Sequence, residues 1–354
     1  MSSMWKDQGM KRDSRFELLR IISMFMIIIF HFDYFGQKWR VPSIHSFWDY
    51  TLLSSYLSLG KLGVYLFIMI TGYFVGNKTF PISKSLLKSC SIWLEAFYYS
   101  VGIYIVLSLT KLTTFSFGQL IKCALPFMTD QYWFVDAYLI LLLLIPFINI
   151  CLNQLSRRQF FYLVIVMSFL SSALTPIKSV IFSTEIQFGY ILPAYLIGAY
   201  IKKYNIRIAF IKSKIIIIYL FTIICAAGCY QTGKTNYINV FFFGIPQLLL
   251  ATLIFIEVTQ ERSFVNRYVN SIAKTVFASY LITDNLLVKG LLWNLPVFHN
   301  NRISMFQINA FGIVFVLALL MACSLIDYFR ILLFSHVNIN NIFTKFLSKV
   351  RSNL

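Results

Sequence analysis

The stretch RFELLRIISMFMIIIFHF, Arg15 to Phe32, decides how the rest of the chain is read. Two bases and an acid lead into an apolar decapeptide, and a histidine follows. An apolar run of this length, extended to Gly36, suits a helix crossing a bilayer core, for which about 20 apolar residues are needed. At 100° per residue, the eleven steps from Arg20 to His31 return to within about 20° of the same direction, and Glu17 falls within about 60° of Arg20. A rise of 1.5 Å per residue puts His31 roughly 16 Å deeper than Arg20. One polar stripe therefore runs from the membrane surface into its interior, where an imidazole should face protein or water.

The whole chain has the same character. Of its 354 residues, 58% are hydrophobic and 12% charged, with a mean hydropathy of +0.73. Soluble domains carry about 25% charged residues, so too few polar groups remain here to coat a soluble globule. The 18% aromatic content fits a chain that meets bilayer interfaces. The formal net charge is +18. Its bases lie in short segments between apolar runs, which excludes a clustered nucleic-acid face and suits a protein oriented in, and touching, anionic lipid. Six scattered cysteines show neither zinc-site spacing nor a disulfide framework and read as small buried hydrophobes, so no metal site is expected. No small-residue cleavage pattern follows the first run, which reads as an uncleaved helix.

Runs of spanning length predict an all-α polytopic membrane protein with about ten transmembrane helices. They extend over Leu18 to Gly36, Tyr56 to Gly76, Cys90 to Thr110, Tyr132 to Leu152, Phe160 to Ile177, Phe188 to Lys203, Ile215 to Tyr230, Ile238 to Val258, Ala273 to Trp293 and Phe306 to Phe334. With the N-terminus cytoplasmic, the inner segments hold about 22 of the 31 bases, as the positive-inside rule requires. An even number of crossings follows, with both termini cytoplasmic. Residues 1–354 read as one membrane domain, with a cytoplasmic N-terminal segment 1–16 and a cytoplasmic tail 335–354.

The segment RFELLRIISMFMIIIFHF resembles the opening helix of the acyltransferase family 3 membrane proteins: an acidic residue, an Arg three later and a His eleven beyond it. GVYLFIMITGYFVGNKTF is similar to the family's second helix and basic loop, QYWFVDAYLILLLLIPFIN to its Trp-Phe helix, and SYLITDNLL to a late helix. The resemblance implies a membrane O-acyltransferase of the cell (plasma) membrane, expected to move acetyl from acetyl-CoA to a hydroxyl of an envelope glycan, an exopolysaccharide or its lipid-linked precursor. The acyl-CoA would be a donor substrate, with no bound cofactor.

On that reading His31 is the general base, since an unperturbed imidazole titrates near neutrality. Arg20 either pairs with Glu17 or meets a phosphate or the pantetheine arm of CoA. The bland alternative makes Glu17 and Arg20 interface markers and His31 a satisfied polar residue. Lys84 and Lys88 are donor-binding candidates, or an ordinary positive-inside loop. Many relatives have Arg-x-x-Arg there, and Lys84-Ser-Leu-Leu-Lys88 replaces bidentate recognition with point charges.

Trp133, Asp136 and Tyr138 are acceptor-side candidates. The two aromatics also suit interfacial anchors, while a carboxylate such as Asp136 inside a span needs a partner, water or a sugar hydroxyl. Glu95 is expected to pair with Lys88 or a neighbouring helix. Asp284 and Asn285 match the late-helix pattern, with Thr283 where a His is often found; Asp284 either pairs with Lys289 or lines a cavity. Gly228-Cys-Tyr-Gln-Thr-Gly233-Lys234-Thr235 fits the phosphate-loop spelling, but that loop works only between a strand and a helix.

The rival class is a transporter or flippase of a lipid-linked saccharide, which should show inverted repeats and discontinuous helices. A non-catalytic scaffold is disfavoured by the polar stripe.

Overall fold

The computed structural model describes residues 12–37, 41, 43–127, 129, 131–174, 187–299 and 303–334. The tail 335–354 and the bases Lys6 and Lys11 lie outside the described residues. Among the described residues the protein is all-helical, without strands.

In chain order the helices are α1 (Ser14–Gly36), α2 (Phe47–Leu57), α3 (Leu59–Val75), α4 (Ile82–Leu109), α5 (Phe117–Ala124), α6 (Trp133–Gln154), α7 (Arg157–Phe169), α8 (Gln187–Tyr204), α9 (Ile211–Gln231), α10 (Ile238–Phe242), α11 (Ile245–Gln260), α12 (Arg267–Ile272), α13 (Val276–Thr283), α14 (Leu286–Leu292) and α15 (Met305–Leu333). Over their described residues the ten apolar runs are mostly helical, with breaks at Ser58, Phe243–Gly244 and Asp284–Asn285. Among the described residues, seven segments are long and apolar enough to cross a membrane: α1, α2 with α3, α4, α6, α9, the 235–260 segment ending in α11, and α15. The α12–α14 stretch would make an eighth, but it is bent by 81° after Thr283. The protein is thus a multi-pass membrane protein.

Helix α3 lies at the centre of the bundle, with 83% of the apolar window in its segment buried. It packs against α1 on one side and α8 on the other. The α3–α8 contact is backbone to backbone: a Cβ at Gly72 would strike the Tyr195 carbonyl, and one at Gly198 the Met69 carbonyl. Small residues let helices approach this closely where lipid supplies no hydrophobic drive between them.

Two polar links hold the periphery. Glu95 of α4 pairs with Arg330 of α15 at 3.0 Å, which settles its partner as a neighbouring helix rather than Lys88. Arg330 also holds Asp327 at 2.5 Å, whose Oδ1 accepts from the Tyr99 hydroxyl at 2.7 Å. The segment Gly228–Thr235 is the C-terminal end of α9 running into a short 3₁₀ turn, Thr235–Tyr237, so a helix precedes its lysine where a phosphate loop needs a strand.

Candidate active site

Helix α1 lines two chambers. Its start is set by Asp13, whose side chain accepts from the Arg15 backbone N–H as an N-cap, and the first turn carries Glu17. Glu17 is buried and accepts from Arg20 through both oxygens, at 3.1 and 3.0 Å, so the expected pair forms. Arg20 lines the first chamber, a basic one, with Arg12, Lys88 and Lys274. Four basic side chains thus converge on one small space, with Glu17 paired to Arg20 at its edge. Thr71, Tyr138, Phe67 and Phe277 complete its walls. Lys88 points inward and is buried, whereas Lys84 is exposed, 5.9 Å from the Phe80 ring, and does not line the chamber.

Three helical turns on, His31 lines a second chamber of about 230 Å³. Its other ionisable walls are Lys61, Asp284 and Lys289, set among Phe30, Tyr34, Phe35, Trp133, Phe134, Phe243 and Tyr280. His31 is 5% exposed, and its Nδ1 has no hydrogen-bond partner among the described residues. Its Nε2 stands 3.8 Å from Asp284 Oδ1. The same oxygen receives Lys289 Nζ at 2.6 Å, so of the two readings for Asp284 both hold at once: it pairs with Lys289 and it lines the cavity.

That pair exists because the helix breaks. Asn285 takes a non-helical backbone (φ −58°, ψ 128°) and its side chain accepts from the Leu287 N–H at 3.0 Å, capping α14. Its amide donates to the Tyr132 hydroxyl at 2.9 Å, and that hydroxyl donates to the Leu281 carbonyl at 2.9 Å. Asn285 is fully buried and its polar atoms are committed to the break, so it stands behind the chamber wall. Thr283 turns its hydroxyl back to the Ser279 carbonyl at 2.7 Å, away from any role a histidine would take there.

The two chambers are joined by rings. Phe67 and Tyr138, from the basic side, pack on Phe134 of the histidine side at 5.7 Å each, the first edge-on and the second stacked. Phe134 meets Tyr280 at 5.7 Å, and Phe277 of the basic side stacks on Tyr280 at 6.3 Å. A single aromatic septum thus separates the cationic space from the imidazole.

Of the expected acceptor-side residues, Trp133 lines the histidine chamber and Tyr138 the basic one. Tyr138 is buried and shares a 3.0 Å hydrogen bond with Thr71; packing inside the bundle, not an interfacial belt, explains it. Asp136 is half-buried and lines neither chamber.

Sequence reasoning missed Lys61, whose ammonium sits 3.9 Å from the Trp133 ring centre, 4.3 Å from Tyr190 and 5.5 Å from Phe243. The signal was there: a lysine inside the run Tyr56 to Gly76 is an intramembrane charge and so a functional candidate. Among the described residues no group of three metal-ligating side chains could hold an ion.

No curated protein and no solved structure shows significant similarity to this chain. The model of one family, described as an acyltransferase domain, matches residues 13–344. That match takes in α1 and both of the chambers it lines, and the chain belongs to the acyltransferase 3 family of membrane acyltransferases.

Proposed function

We propose that the protein is an O-acetyltransferase of the plasma membrane, taking acetyl from acetyl-CoA and passing it to a hydroxyl of an envelope glycan, an exopolysaccharide or its lipid-linked precursor. The observation that carries the reading is the placement of Arg20 and His31 on one helix, each lining its own chamber, with one layer of rings between. Phosphates of the donor bind among Arg12, Arg20, Lys88 and Lys274, which face what the charge asymmetry makes the cytoplasmic side. With both termini placed inside, that asymmetry calls for an even number of crossings.

The thioester end of the donor passes the septum into the histidine chamber. The acceptor hydroxyl oxygen attacks the thioester carbonyl while His31 takes its proton. The tetrahedral intermediate collapses with cleavage of the C–S bond, and the proton on His31 goes to the departing thiolate, leaving an O-acetyl ester and free CoA. Trp133 offers a ring face for a sugar, and the chamber's aromatic walls limit water, which would otherwise compete as nucleophile.

The test follows labelled acetyl-CoA into membrane glycan in vesicles carrying the wild type or His31→Ala at equal levels. Transfer by the wild type and its loss in the variant is the expected result; equal transfer by both removes the base assignment.

One observation favours a second reading, transport of a lipid-linked saccharide: the 81° break after Thr283 places Asp284 at a discontinuous helix, as transporters place their sites. Transport predicts that the saccharide accumulates on the inner face in a deletion strain with its acetylation unchanged, the reverse of the acyl-transfer expectation.

A further inference from the structure

Asp284 has two nitrogens near the same oxygen and binds only one of them. Lys289 Nζ at 2.6 Å is at the short end of charge-assisted contacts, while His31 Nε2 at 3.8 Å lies beyond hydrogen-bond reach. The carboxylate is 3% exposed, so it needs a counter-charge or a proton, and the ammonium supplies the charge. Lys289 reaches it only because α14 turns back at Asn285. The imidazole is left with no hydrogen bond to Asp284 and with Nδ1 unbonded among the described residues.

We propose that Lys289 is a positioning residue: by claiming Asp284 across the helix break, it leaves His31 an uncharged imidazole that can accept the acceptor's proton. The role in catalysis rests on the acyl-transfer reading above. Tyr280 also faces Asp284 and shares a hydrogen bond with it, but a phenol brings no positive charge; without the ammonium, the buried carboxylate would draw its counter-charge from His31, 3.8 Å away. An imidazolium held by Asp284 has no lone pair to offer. The contrasting role is a staple, in which the pair merely pins α14 to α13.

The two roles part in one variant. If Lys289 acts by neutralising Asp284, deleting the acid as well should suppress the damage, whereas a staple cannot be repaired by removing its other half. Two readouts follow Lys289→Met, Lys289→Arg, Asp284→Asn and the double variant Asp284→Asn/Lys289→Met. The first is acetyl transfer from labelled acetyl-CoA in vesicles, with KM for the donor measured separately from kcat. The second is the rate at which diethylpyrocarbonate modifies His31, read on the His31 peptide by mass spectrometry; it needs neither donor nor acceptor, since the reagent acylates only neutral imidazole.

Lys289→Met should lower kcat roughly thirtyfold or more at unchanged donor KM, within the range that general-base catalysis contributes. It should slow His31 modification about tenfold, while Lys289→Arg stays close to wild type. The double variant should regain most of both losses. A single variant that modifies His31 at the wild-type rate, or a double variant as slow as the single, overturns the proposal. If wild-type vesicles transfer no acetyl, the donor reading fails, and the modification series still decides the role of Lys289.

Discussion

The two chambers lined by α1 differ in how their charge is arranged. The basic one gathers Arg12, Arg20, Lys88 and Lys274 against one paired acid, Glu17. The histidine one places Lys289 on Asp284, and Lys61 among three rings, around a single imidazole. The first arrangement is rich in basic side chains, which on the proposed reading receive a polyanion. The second sets its charges on one another or on aromatic faces and leaves the His31 Nδ1 without a hydrogen bond among the described residues. A membrane enzyme can thus hold a highly charged substrate and run proton chemistry within one bundle, provided a layer of rings keeps the two fields apart.

That contrast can be broken most sharply at His31. His31→Ala should reduce acetyl transfer by about 10²–10⁴-fold, the usual contribution of a general base, with donor KM in the same vesicles little changed. Next comes the basic chamber. Lys88→Met should raise the donor KM by about 10–100-fold, the cost of one charged hydrogen bond, and leave kcat near wild type; a fall in kcat alone would place Lys88 with the chemistry instead.

The α3–α8 contact gives the third test, on the frame rather than the chambers. Gly198→Val forces a Cβ against the Met69 carbonyl and should destabilise the bundle by about 1–3 kcal/mol, seen as a lower melting temperature in detergent. The smallest effect belongs to the aromatic seat of Lys61. Trp133→Leu removes the closest ring, a contact worth about 0.5–2 kcal/mol, and should weaken acceptor use a few-fold while sparing the donor KM.

What the sequence made legible was whatever one helix contains. The Glu17–Arg20 pair and the shared face of Arg20 and His31 follow from 100° per residue, and the structure keeps both. The apolar runs were legible for the same reason, since length and hydropathy are local. Lys61 was not, because its rings come from α6, α8 and the turn at Phe243, brought together only by packing.

The break at Asp284–Asn285 was also hidden. The run Ala273 to Trp293 has no proline, and its one glycine, Gly290, lies past the bend, which comes from an asparagine cap that looks ordinary in a helical pattern. Lys84 and Lys88 read as a pair, but only Lys88 turns inward. Depth along α4 separates them, with Lys84 one turn nearer the helix start and in the open.

Because Arg20 and His31 belong to the same unbroken helix, their separation along its axis cannot be adjusted: eleven residues at 1.5 Å fix it at roughly 16 Å. For a donor held at one end and reacting at the other, α1 works as a ruler. On the proposed reading it should admit a molecule whose anionic handle and reactive carbonyl are joined by an arm of about that reach, and pass over short activated acyls, such as an acyl phosphate, that can satisfy one mark on the scale but never both.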